Sequence, residues 1–158
     1  MSDRKNLLRS GRRYSGKKVL QVGWITRVSL VFSAGSVGGV INSLAVWLFG
    51  RTGITGAFGV SIAPELTAPW IYPRIVWGGL WGFLFLLPLL RDRPFVKGIL
   101  LSLGPTMVQL FIVFPIRAQK GMMGLELGVL TPLFVFIFNA FWGLAAIYWL
   151  VLTGKRSL

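Results

Sequence analysis

The chain has 158 residues, of which 54% are hydrophobic and only 13% are charged, and its mean hydropathy is +0.72. Soluble domains carry about 25% charged residues, and a domain this short keeps much of its surface exposed, so lipid must cover its apolar runs. The absence of cysteine and histidine excludes disulfides, thiolate catalysis and histidine ligation of a metal. We therefore expect an integral membrane protein.

The first 23 residues form a basic tail, in which seven of the 17 basic residues lie between Arg4 and Lys18. A nucleic-acid-binding arm has a similar charge, but Tyr14 is the only aromatic residue among these basic residues. The tail leads directly into an apolar run, as a topology signal does. We expect a cytoplasmic tail that rests on anionic lipid headgroups and binds no nucleic acid.

Four apolar segments follow the tail, at residues 28–49, 71–90, 98–116 and 127–152. Most have the length needed to cross a core of about 30 Å at about 1.5 Å per residue. The second is interrupted by Pro73 and Arg74 near its start, where the arginine is expected to extend towards the membrane interface. The pattern predicts an all-α, polytopic protein, with residues 24–158 forming a four-helix transmembrane domain.

The distribution of basic residues predicts the orientation of these helices. With the N-terminus inside, thirteen basic residues lie on the cytoplasmic side, and the opposite side holds only Arg51, Arg74, Arg117 and Lys120. Both termini are therefore expected in the cytoplasm, and the membrane is expected to be a bacterial inner membrane.

The two halves of the chain also resemble each other. At an offset of 66 residues, Arg27 aligns with Arg93, Gly38 with Gly104, and Arg51 with Arg117. Chance similarity between glycine- and leucine-rich helices is the alternative, but the ordered series of matches favours two tandem two-helix repeats. Such repeats are related by an axis along the membrane normal.

Residues 54–69, between the first two predicted helices, are apolar and glycine-rich in their first half. The stretch is too short to span a membrane. It is either a re-entrant segment or an external loop, and we favour an interfacial segment packed on the helix ends.

Acidic residues are rare, and two of the four, Glu65 and Glu126, lie near predicted helix starts on the outer side. Carboxylates there cap free amides and are favoured by the helix dipole. The functional alternative is an outer polar site in which both acids face Arg51, Arg74 and Arg117.

Three amide side chains, Asn42, Gln109 and Asn139, lie within predicted helices. Inside lipid such groups usually bond to a neighbouring helix, although they can also line a polar path. Gly35-x-x-x-Gly39 and Gly78-x-x-x-Gly82 allow helices to approach closely, either within the chain or between copies of it.

Part of the second half resembles a known family. Lys97-Gly98-Ile99-Leu100-Leu101, Val108-Gln109-Leu110-Phe111 and Phe114-Pro115 are similar to the pattern of the uncharacterised YagU-type inner-membrane proteins. This chain lacks the histidines of those helices. The resemblance implies a membrane topology and no particular activity.

The sequence contains no nucleophile–base pair, metal-ligand cluster or phosphate-binding motif, so we expect no enzyme, no catalytic residue and no cofactor or metal. The leading interpretation is a subunit, scaffold or assembly partner in the inner membrane, acting as a homo-oligomer or with a protein partner. The alternative is a small transporter or channel whose outer vestibule is lined by Glu65, Glu126 and the nearby arginines.

Overall fold

The computed structural model describes residues 23–90 and 92–154, which are helical with irregular connections and contain no strand. The expectation of an all-α protein is confirmed for this part of the chain. The basic tail up to residue 22, Arg91 and residues 155–158 lie outside it, so the expected contact of the tail with lipid headgroups is not described.

Five α-helices and three tighter or wider helical segments follow one another along the chain. The first half contains α1 (Trp24–Arg51), the short α2 (Ile54–Ala57), and α3 (Ala68–Trp81), which continues as a 3₁₀-helix (Gly82–Leu86). The second half contains α4 (Pro94–Val108), which continues as a π-helix (Gln109–Arg117), then a 3₁₀ segment (Met122–Leu127) and α5 (Thr131–Gly154). Prolines in the first turn of α3 and at the start of α4 suit helix N-termini, where a missing N–H is not needed.

Three helices are long and apolar enough to cross a membrane: α1, α4 with its π-helical continuation, and α5. The α-helical part of α3 has only 14 residues, so it is about 21 Å long. The chain leaves helical geometry at Leu87, the residue before Pro88, where a proline disfavours helix in the preceding residue.

The helices pack in the order α3, α1, α5, α4. The central pair α1 and α5 pack against each other, α3 packs on α1, and α4 packs on α5, whereas α3 and α4 make almost no backbone contact. An open cleft therefore separates α3 from α4, and its floor is formed by the central pair.

Glycines bring the outer helices close to the central ones. A Cβ atom built on Gly39 of α1 would lie 2.6 Å from the carbonyl oxygen of Arg74 in α3, and one on Gly78 would lie 2.7 Å from the carbonyl oxygen of Gly35. Gly98 and Gly143 contact each other in the same way between α4 and α5. The two glycine motifs of the first half, Gly35-x-x-x-Gly39 and Gly78-x-x-x-Gly82, therefore pack against each other within the chain.

The connection between α1 and α3 folds back over one end of the bundle and forms a cap. Val60 is 1% exposed and packs with Val46, Phe134 and Phe138, while the Thr55 hydroxyl donates to the carbonyl of Ile62 at 2.8 Å. The backbone N–H of Ser61 donates to the carbonyl of Leu127 at 2.7 Å, which joins this segment to the end of the 3₁₀ segment before α5. We call residues 54–64 the cap; they pack on the helix ends.

The close approach of α1 and α3 leads to a testable difference between two glycines. Gly39→Ala should lower the free energy of unfolding by about 1–3 kcal/mol, because the new methyl group meets backbone atoms that cannot move aside cheaply. Gly56→Ala is the matched control, since nothing lies within 4 Å of the added atom. Unfolding of both variants in mixed micelles, followed by circular dichroism, checks this. Equal stability of the two variants would contradict the packing described.

Candidate functional site

Arg74 of α3 points into the bundle and bonds to two neighbouring residues of α1. Its Nε donates to the Ser43 hydroxyl at 3.1 Å, and its Nη2 donates to Oδ1 of Asn42 at 2.7 Å. The ring of Trp70, one turn earlier in α3, lies 4.5 Å from Cζ of the guanidinium, within the range of a cation–π contact. The arginine is thus held in one orientation by α1 and by its own helix.

The hydrogen bonds continue from Asn42 across the bundle. Its Nδ2 donates to the carbonyl of Phe138 at 2.7 Å and lies 3.4 Å from Oδ1 of Asn139, whose Nδ2 donates to Oε1 of Gln109 at 3.3 Å. These contacts therefore connect, in one row, side chains of α3, α1, α5 and the π-helical continuation of α4. We call Arg74, Asn42, Ser43, Asn139 and Gln109 the Arg74 cluster.

The cluster lies deep between the helix ends. Asn42 is nine residues before the end of α1 at Arg51, and Asn139 is eight residues after the start of α5 at Thr131. At about 1.5 Å per residue, both amides are about 12–14 Å from these ends. Asn42 and Asn139 are 7% and 6% exposed, so they lie in the interior of the bundle.

Arg74 has only neutral partners in the ranges that the structure describes: no carboxylate pairs with it. A guanidinium carries five N–H donors in a rigid fork. The two bonds to α1 use the edge formed by Nε and Nη2, and Nη1 donates to none of the described residues. Buried charges without a counter-charge are costly, so this arrangement favours a negatively charged ligand.

Two cavities reach Arg74, which is why its side chain is only partly buried. The cleft between α3 and α4 has a volume of about 300 Å³, and a second cavity beneath the cap, the cap cavity, has about 360 Å³. Arg74 and Gln109 line both. The cleft is also lined by Asn42, Asn139, Arg117, Trp77, Trp81 and Trp142.

The cleft narrows at its end away from the cap. A Cβ atom on Gly104 of α4 would lie 3.1 Å from a methyl carbon of Leu84 and 3.5 Å from the ring of Trp81. Trp81, the last residue of α3, and Leu84, just after it, therefore approach α4 there. The open part of the cleft is the part next to the Arg74 cluster.

The residues of the proposed outer polar site differ in exposure and surroundings. Glu65, Glu126 and Arg51 are exposed, and neither carboxylate forms an ion pair with an arginine among the described residues. Arg117 is also exposed but lines the cleft, and Arg74 is turned inward. Only Arg74 of these five residues joins the three intramembrane amides predicted from the sequence.

The sequence contained a signal for the inward orientation of Arg74. Residues four apart share one face of a helix, and Gly78 lies four residues after Arg74 on the face that packs against α1. This face of α3 also contacts Ser43, the residue after Asn42 in α1. The sequence alone did not identify Ser43 as a hydrogen-bond partner of the arginine.

Comparisons of the chain with protein-family models, with curated proteins and with solved structures found no match. The function is therefore inferred from the geometry of the Arg74 cluster.

The hydrogen bond between Arg74 and Asn42 can be measured by a double-mutant cycle. Asn42→Ala and Arg74→Gln should each destabilise the bundle, and their coupling energy should be about 0.6–1.7 kcal/mol, the range for such bonds in membranes. Ser33→Ala, on the exposed face of α1, is the control and should show no coupling to Arg74→Gln. Unfolding in mixed micelles gives the four free energies. A coupling near zero would show that the two side chains act independently.

Proposed function

We propose that this chain is an integral membrane protein with four spans that binds an anionic ligand at Arg74 and acts as a small, non-enzymatic carrier. The observation that carries the proposal is the inward-turned Arg74, bonded to Asn42 and Ser43 and open to two cavities. Ionisable groups at this depth in a membrane protein are rare, and they mark ligand or ion pathways.

The length of the α3 segment supports the fourth span. The 14 α-helical residues and the five 3₁₀ residues that follow extend over about 31 Å, close to the thickness of a bilayer core. The segment also packs beside α1, which is long enough to span. With the excess of basic residues inside, the cap faces outward, and both termini are cytoplasmic in a bacterial inner membrane.

The helix pairs α1–α3 and α4–α5 pack in a similar way, which supports the proposed repeat. Gly78 of α3 packs against Gly35 and Gly39 of α1, and Gly143 of α5 packs against Gly98 and Ser102 of α4. A tryptophan precedes both Gly78 and Gly143 in the sequence. We take these features as support for duplication of a two-helix unit.

An anionic ligand fits the groups that line the cavities. The guanidinium binds carboxylates and phosphates through two parallel hydrogen bonds, which a lysine cannot reproduce. Arg117 adds a second positive charge to the lining of the cleft, whereas Glu65 and Glu126 line neither cavity. The electrostatic field at the cluster therefore favours negative groups.

Binding and transfer of a ligand explain the structure better than a scaffold does. The glycine faces that suggested a protein partner are occupied between α1 and α3. Two cavities that share Arg74 and Gln109 offer a ligand access from the capped end and from the side of the bundle. A scaffold needs neither of them.

The four-span topology is testable with single cysteines, because the chain contains none of its own. Gly56→Cys in the cap and Asp92→Cys between α3 and α4 both replace exposed residues. In intact spheroplasts a membrane-impermeant maleimide should label Gly56→Cys and should label Asp92→Cys only after lysis. Labelling of both variants without lysis would mean that α3 does not cross the membrane.

The anion site is tested by thermal unfolding in neutral maltoside micelles. Inorganic phosphate at about ten times its Kd should stabilise the wild type by about 1.4 kcal/mol and raise its Tm by about 4 °C. The exposed Arg51 supplies the matched control: Arg51→Gln should respond like the wild type, and Arg74→Gln should lose the shift. An equal shift in Arg74→Gln, or no shift in the wild type, would contradict the proposal.

A further inference from the structure

The cleft opens sideways, between two helices, and not only at an end of the bundle. Because α3 and α4 approach each other only near Gly104, the cleft beside Trp77, Val108 and Val113 is open towards the outside of the bundle. In a four-span protein the outside of the bundle faces the hydrocarbon of the bilayer. The lining is mostly apolar, and apart from Arg117 its charged and amide side chains belong to the Arg74 cluster.

We infer that the ligand is a single-chain anionic amphiphile, whose acidic group binds Arg74 and whose tail lies in the cleft and leaves between α3 and α4. The inference rests on the proposed function, because it takes Arg74 as the anion site. A polar cluster inside a mostly apolar cleft matches a molecule with a charged head and an apolar tail. A free anion would gain nothing from the tryptophan and valine side chains.

The hydrogen-bonding groups identify the class of the head. Since Asn42 and Ser43 occupy the Nε edge of the guanidinium, the end formed by Nη1 and Nη2 can take a carboxylate or a phosphate monoester through two bonds. Gln109 accepts a bond from Asn139 through Oε1, and its Nε2 bonds to no group in the described chain, so it can donate to the same acid.

The volume of the cleft favours one chain over two. A volume of about 300 Å³ lies at the lower end of small-molecule sites, which span about 300–1,000 Å³. The tail of a longer ligand extends from the cleft into the surrounding lipid, so its length does not limit binding.

Native mass spectrometry of the full chain in neutral maltoside micelles tests the inference with three probes. Oleoyl lysophosphatidic acid carries both the acid and the tail, oleoyl lysophosphatidylcholine carries the tail with a zwitterionic head, and inorganic phosphate carries the acid alone. Val108 lines the cleft but not the cap cavity, which also reaches Arg74, so Val108→Trp puts a bulky ring into the cleft alone. Ile112→Trp places the same ring on a neighbouring exposed residue outside both cavities.

The wild type and Ile112→Trp should each bind one lysophosphatidic acid, more tightly than either other probe. Arg74→Gln should weaken this binding about 10- to 100-fold, the range for losing a charge-assisted hydrogen bond. Val108→Trp should lose the lipid but keep its phosphate-induced rise in Tm, which also shows that the variant is folded.

Two results would overturn the inference in distinguishable ways. Equal lysophosphatidic acid binding by Val108→Trp and Ile112→Trp, with binding still lost in Arg74→Gln, removes the cleft as the tail site and leaves the anion site intact. Equal binding by Arg74→Gln and the wild type removes both the amphiphile and the proposed anion site.

Discussion

The positive charge of Arg74, turned into an apolar bundle, is the constraint on which the rest of the structure depends. Arg74 reaches Asn42 and Ser43 only because α3 lies directly against α1, and the backbone of Arg74 itself takes the place that a side chain on Gly39 would fill. The glycines therefore do more than hold two helices together. They bring the hydrogen-bond acceptors of α1 within reach of a cation that would otherwise be costly to bury.

The cleft follows from an asymmetry between the inner and outer helix pairs. In two hairpins related by a two-fold axis, contact between α1 and α5 would be matched by equal contact between α4 and α3. The inner pair approaches closely where Gly38 leaves room for Trp142: a Cβ on Gly38 would lie 2.6 Å from the carbonyl oxygen and 2.7 Å from the indole ring of that residue. The facing surfaces of α3 and α4 carry Trp77, Trp81 and Pro105, which are too bulky for the same approach. A gap beside the cluster results.

Sequence patterns predicted the helices better than the site, for reasons that particular residues illustrate. A long apolar run can be recognised from consecutive residues, and such a run predicted α5. The end of α3 at Leu87 instead reflects Pro88 and the change to 3₁₀ geometry after Trp81. Residue type alone identified Asn42, Gln109 and Asn139, but the inward direction of Arg74 depends on its neighbours. The hydrogen bond from Ser61 to Leu127 joins the cap to the end of the 3₁₀ segment, next to Gly128, and the φ of 138° at Gly128 is not encoded by any sequence periodicity.

The neutrality of the partners decides what the site can recognise. A carboxylate at position 42 would neutralise Arg74 in the absence of ligand. An anionic ligand would then have to displace that carboxylate. Asn42 and Ser43 hold the guanidinium through hydrogen bonds but bring no counter-charge, so in the proposed site a bound anion would offset the cost of burying that charge. A neutral or cationic ligand offers no such gain. In the proposed site, selectivity for anions and the cost of an interior charge without a counter-charge thus have the same origin, and neither Glu65 nor Glu126 lines either cavity.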